Sequence, residues 1–230
     1  MKLLLFDIDG TLLRTNGVGR AAVERALSRV CGRPITTDGV AFSGKTDPQI
    51  IDEILQANDL APDSTPALAE KALAAYEETA HEVFDSNAVR RLPGVRALLA
   101  RLEAHPRVQL GLLTGNVESM AYRKLAAVSL DHHFAFGAFG SDHADRGRLP
   151  PVAVARARAH TGHPFEGRDV VIVGDTEHDI RCGQSIGALS VGVCTVSYGR
   201  RALAAHAPDL LLDDLSDADG FVDAVLGTMR

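Results

Sequence analysis

The 230-residue sequence has no tryptophan, 5% aromatic residues, three cysteines and no excess of positive charge. Each shortage excludes something. Cys31, Cys182 and Cys194 are odd in number, widely spaced and free of any Cys-x-x-Cys pair. Neither a disulfide framework nor a zinc site is therefore expected, and free thiols in a reducing cytosol are. A net charge of -6 and a pI near 5.8 give no support to nucleic-acid binding or to an anionic membrane surface. No stretch approaches the ~18 apolar residues that cross a bilayer. The apolar run after Lys2 soon meets Asp7, so it reads as a strand and not as a secretion signal. The expected protein is cytoplasmic, a monomer or homodimer, with no nucleic-acid or membrane partner.

What is present describes an ordinary globular chain, 46% hydrophobic and 23% charged, long enough for one large domain or a medium one with a smaller companion. Short apolar runs alternate with helical periodicity, the pattern of an α/β fold with a doubly wound parallel sheet covered on both faces. Strands are predicted at residues 3–6, 108–113, 134–139, 170–173, 189–193 and 210–212, and helices at 94–105, 117–128, 150–160, 177–186, 200–205 and 217–226. Between the first strand and Val108 lie about a hundred residues, far more than a crossover helix requires. That stretch reads as helices only, at 20–31, 47–58 and 64–84, opened by Asp47-Pro48 and Ser64-Thr65-Pro66. The expectation is an all-helical cap domain at 17–90, inserted into an α/β core of residues 1–16 and 91–230.

Chemistry concentrates where strands end, which is where open α/β sheets bind ligands. The run Leu3-Leu4-Leu5-Phe6 delivers Asp7-Ile8-Asp9-Gly10-Thr11 into a turn. An Asp-x-Asp-Gly-Thr match arises by chance in a chain this long about once in a thousand at average residue usage. Buried unpaired carboxylates cost several kcal/mol, so two of them ending a buried strand call for a metal ion and reaction chemistry. Next comes Thr114-Gly115-Asn116 at another strand end, where a hydroxyl and free N–H groups could hold an anion. Gly174-Asp175 closes a third strand, with Asp179 one turn into the following helix. A charged loop, 142–148, precedes the helix at Pro150. Singly, these are a helix-entry turn, capping acids and a solvated loop. Their order and their placement at strand ends set them apart. Among the nine histidines, those at 132, 133, 143, 160 and 178 show no metal-ligand spacing.

This order of motifs resembles the haloacid dehalogenase (HAD)-like hydrolase superfamily, and within it a phosphoglycolate phosphatase-like branch with a helical cap. The resemblance covers essentially the whole chain. It implies a Rossmann-like core with strand order 5-4-1-2-3, Mg²⁺ dependence and an aspartyl-phosphate intermediate. Asp7 would be the nucleophile. The Asp9 side chain would be the general acid and then the base, the residue that separates phosphatases of this superfamily from its dehalogenases. Asp7, the backbone carbonyl of Asp9 and Asp175 would hold the metal, with Asp179 orienting its waters. Thr114 would assist catalysis, and Thr11, Gly115 and Asn116 would bind the substrate. Relatives place a Lys between the second and last motifs. Here Arg148 stands at that position, and Lys124 is the other candidate cation, about 12 Å along its helix from Asn116. Lys45, in the loop 42–47, is a plausible contact for an anionic substrate. The expected activity is hydrolysis of a small phosphomonoester: phosphoglycolate-like, a sugar phosphate or a nucleotide phosphate. A sugar phosphomutase of the same superfamily and a non-catalytic phosphate-sensing module are the alternatives, and the long insert argues against the second.

Overall fold

The structure is a computed structural model that describes residues 1–60, 65–196 and 198–227. The chain begins with β1 (Lys2–Phe6), the two-residue β2 (Leu13–Arg14) and helices α1 (Val18–Cys31), α2 (Asp47–Ala57) and α3 (Thr65–Val83). It returns through β3 (Arg90–Arg91) and then alternates: α4 (Val95–Glu103), β4 (Val108–Leu113), α5 (Glu118–Ala126), β5 (Gly137–Ala138), α6 (Leu149–Thr161), β6 (Val170–Gly174), α7 (Glu177–Ser185), β7 (Leu189–Val193), α8 (Arg200–Ala204), β8 (Leu210–Leu212) and α9 (Ala218–Leu226). Ser64, expected to open α3, lies outside the described residues. Among the described residues no helix is long and apolar enough to cross a membrane.

Six strands form one sheet in the order β5-β4-β1-β6-β7-β8, with every neighbouring pair parallel. This is the expected doubly wound order with a sixth strand, β8, added at the outer edge. The alternation of β1 explains why both faces are covered. Leu4 and Phe6 enter one core with Leu112, Val171, Val173 and residues of α4, α5 and α9. Leu3 and Leu5 enter the opposite core with Val170, Ile172 and residues of α6. Each buried leucine or phenylalanine contributes about 1.5–3 kcal/mol, so β1 is held centrally by its own composition.

Two local readings change. The strand expected over 134–139 shrinks to Gly137–Ala138. The Phe134 N–H closes a turn onto Asp131 (3.3 Å), and the Phe139 N–H goes to the Asp142 carboxylate (2.9 Å), so both ends leave the ladder. The antiparallel ribbon β2–β3, which pairs Leu13 with Arg91 and Arg14 with Arg90, is too short for any periodicity to reveal. It brings together the two chain crossings that flank the helical stretch. Helices α1–α3 bury their own cluster, including Leu27, Ile51, Ile54, Leu55 and Tyr76, and this cluster also takes in Val117 and Met120 at the start of α5.

The turn into α4 depends on a single glycine. Gly94 has φ 76°, and a Cβ there would overlap the Leu215 carbonyl. Gly94→Ala is expected to cost about 2 kcal/mol or more, lowering Tm by roughly 4 °C or more in a chain of this size. Thermal unfolding checks this, and an unchanged Tm would contradict the packing described.

Candidate active site

The register of β4, β1 and β6 sets Phe6 opposite both Leu112 and Val173. Asp7, one residue beyond Phe6, and Thr114 and Asp175, two residues beyond Leu112 and Val173, therefore emerge at one carboxyl edge. Asp7 is anchored by its N–H to Val173 O (2.9 Å). One carboxylate oxygen from each of Asp7, Asp175 and Asp179 lies within 4.8 Å of the others, and all three residues are buried. Glycines make this closeness feasible. Gly10 has φ +85°, and a Cβ there would overlap the Asp175 carboxylate. Asp179 stands at the start of α7 in a reciprocal cap with Thr176, and its Oδ2 accepts from Thr176 Oγ1 (2.6 Å).

A second cluster surrounds Asp9. Its Oδ2 accepts from Lys124 Nζ (2.6 Å) and from Asn116 Nδ2 (2.8 Å). Asn116 also donates to Thr114 Oγ1 (2.8 Å) and accepts from Lys124. Lys124 is buried, because a side chain on α5 leans back toward the helix start.

The other expected cation is not where the sequence placed it. Arg148 is exposed, its side chain 74% accessible, and 4.0 Å from Asp145. Arg146 is buried instead and pairs with Asp7 Oδ1 (3.1 Å) and with Asp179. The short 3₁₀ turn Arg146–Arg148, capped by Asp145, explains the exchange. At three residues per turn, positions two apart face different sides. Thr11 also departs from expectation, being fully buried and absent from the cavity wall. Lys45 does line the cavity, with its ammonium paired to Glu53. Sequence reasoning missed Arg146 and the cavity-lining Asp47 and Tyr76. An acid one residue before Arg146 was the available signal for the first, and the Asp47-Pro48 helix start concealed the second.

The cluster around Asp9, together with Asp7 and Arg146, faces one cavity of about 450 Å³. Its floor carries Asp7, Asp9, Thr114, Asn116, Lys124 and Arg146, and residues of the helical stretch, including Phe42, Ile50 and Tyr76, form the opposite wall. Burial, with the nearby charges of Asp179, Asp175 and Asp9, pushes Asp7 up to about 8, against the pull of Arg146. Burial likewise raises Asp47 to about 6, although Lys124 and the Val117 N–H oppose it. Burial lowers the Arg146 pKa, but Asp179 and Asp7 overcome this and hold it charged. With all three acids ionised, three carboxylates against one guanidinium leave two negative charges. The oxygen-only donor set suits a hard divalent cation, so the residues present fit a metal.

A family model described as haloacid dehalogenase-like hydrolase matches residues 4–193, and the chain belongs to that family. Within it, the chain falls among the phosphatase-like members. It is 27% identical over 216 residues to a phosphoglycolate phosphatase of Pseudomonas putida, covering 93% of this chain and 77% of that protein. It is 28% identical over 222 residues to the pyrophosphatase PpaX of Bacillus pumilus, covering 96% of each. The fold is shared with a predicted phosphoglycolate phosphatase from Haemophilus somnus, at TM-score 0.70 and 21% identity over 96% of this chain and 98% of that one. It is also shared with a β-phosphoglucomutase from Clostridium difficile, at TM-score 0.72 and 19% identity over 100% and 99%.

Removing Arg146 leaves two buried carboxylates without their partner, which costs several kcal/mol, whereas exposed substitutions stay within about 0.5 kcal/mol. Arg146→Ala is therefore expected to lower stability strongly and Arg148→Ala hardly at all. Denaturant unfolding of the two variants side by side tests this, and equal effects would contradict it.

Proposed function

We propose that this chain is a Mg²⁺-dependent phosphatase that hydrolyses a small phosphomonoester through an aspartyl-phosphate on Asp7. A phosphoglycolate-like, sugar or nucleotide phosphate is the substrate class. The observation that carries this reading is the pairing of two differently charged carboxyl sites at one cavity: Asp7 among acids, and Asp9 held by an ammonium and an amide. The two carboxyls thus have different environments, as two different roles require.

In this reading residues 17–90 form a helical cap over a core of residues 1–16 and 91–230. The phosphoryl group enters between the Asp7 carboxylate and the Thr114–Asn116 turn. Asp7 attacks phosphorus in line, the P–O bond to the leaving alkoxide breaks, and the Asp9 carboxyl gives that oxygen its proton. The Asp9 carboxylate then takes a proton from water as the water attacks the phosphoryl-Asp7 bond, which frees phosphate and restores Asp7. Lys124 and Asn116 orient Asp9 throughout. Arg146 neutralises charge beside Asp7, a task for which its fixed fork suits it. Mg²⁺, held by Asp7, Asp175 and the Asp9 carbonyl with Asp179 nearby, would supply the positive charge that lets an ionised Asp7 approach an anionic phosphate. The opposite wall keeps bulk water from the acyl phosphate.

The named activities of the relatives at 27% and 28% identity support hydrolysis over mutase chemistry. The free thiols agree with action in the cytoplasm. Turnover of p-nitrophenyl phosphate is the test: activity is expected with Mg²⁺, lost on chelation and restored by added Mg²⁺. Asp7→Asn is expected to reduce kcat by roughly 10⁴-fold or more while the fold persists. Metal-independent turnover, or an active Asp7→Asn enzyme, would overturn the reading.

A further inference from the structure

Asp47 is a buried acid with no part in the chemistry above, and its contacts are specific. It opens α2 in the helical stretch, behind the Thr46 cap. Its Oδ2 accepts from the Val117 N–H (2.8 Å), and its own N–H donates to the Gly115 carbonyl (2.8 Å). One residue thus grips the Gly115-Asn116-Val117 turn on both sides of Asn116. Asn116 and Lys124 are the two groups that donate to the Asp9 Oδ2.

The neighbouring residues continue this seam. Thr46 Oγ1 donates to the Ala144 carbonyl. A Cβ at Gly115 would overlap the Lys45 carbonyl, and one at Gly44 would meet His178 and Thr176. Segment 44–48 is therefore fitted closely against three loops at the carboxyl edge of the sheet, and Asp47 brings a carboxylate acceptor to this seam. Lys124 and Asp9 both act electrostatically on Asp47, so the grip also lies within reach of the ammonium that pairs with Asp9.

We propose that Asp47 is a positioning residue: it docks the helical stretch on the 115–117 turn and so sets Asn116 and Lys124 on Asp9. Closure of the helical side and alignment of the acid/base are then one event, linked through two hydrogen bonds. This rests on the reading of Asp9 as acid and base.

Asp47→Asn keeps an oxygen for the Val117 N–H and leaves the backbone bond to Gly115. Asp47→Ala removes the side-chain acceptor. With p-nitrophenyl phosphate and the full chain, Asp47→Ala is expected to lose roughly 10- to 100-fold in kcat, the scale of a hydrogen bond to a charged group, with KM moved less than about threefold. Asp47→Asn is expected to recover kcat to within about threefold of the parent. Limited trypsin digestion reads docking without turnover: cleavage after Lys45 accelerates in Asp47→Ala and returns to the parental rate in Asp47→Asn. An unchanged kcat in Asp47→Ala, an Asp47→Asn as slow as Asp47→Ala, or a kcat loss with unaltered cleavage would each overturn the proposal. Parent and Asp7→Asn, run in the same assay, separate this outcome from failure of the phosphatase reading. An inactive parent sinks that reading, whereas the cleavage rates still report on docking.

Discussion

Three carboxylates held within 4.8 Å of one another in a buried site repel each other, and the rest of the structure answers that repulsion. At an effective dielectric constant of about 20, each pair at this distance costs roughly 3 kcal/mol. Burial adds desolvation, and Asp7 is pushed up to about 8. Arg146 offsets part of this by pairing with Asp7 and Asp179, and two negative charges remain when all three acids are ionised. A site of this kind is a poor element of stability and a good receptor for a small divalent cation beside an anionic substrate.

The fold answers the constraint by topology. The central position of β1 between β4 and β6 brings the beginning of the chain against its later third, so Asp7 and Asp175 become neighbours without any long loop. The glycine at position 10 makes room for the Asp175 carboxylate, and the Thr176 cap fixes Asp179. The same edge then separates two electrostatic settings. Asp7 lies among acids with one guanidinium, and Asp9 lies against an ammonium and an amide. Segment 44–48 lies against both the 115–117 turn and the start of α7, so the helical side of the cavity contacts each setting.

The parts legible in the sequence are those written in local patterns. The leucine run before Asp7 and the apolar Val170–Gly174 strand before Asp175 announced both the sheet and its acidic edge. The cations were harder to read because facing, rather than composition, decides them. Arg146 and Arg148 are separated by one glycine, and only the 3₁₀ turn determines which points inward. Lys124 was the other candidate cation, and its reach to Asp9 depends on how its side chain leans back along α5, which composition does not encode. Thr11, in the most specific motif of the chain, proved fully buried, since a turn that tight sends its side chains both ways. The ribbon β2–β3 and the shortened β5 are set by tertiary hydrogen bonds, which no periodicity encodes.

The central claim is that Asp7, Asp175 and Asp179 form a receptor for one divalent cation. Titration calorimetry of Mg²⁺ into the resting protein addresses it without substrate or turnover. A single saturable site is expected in the parent, with affinity at least about tenfold weaker in a folded Asp175→Asn variant. No saturable binding, or equal affinity in the two proteins, would contradict it.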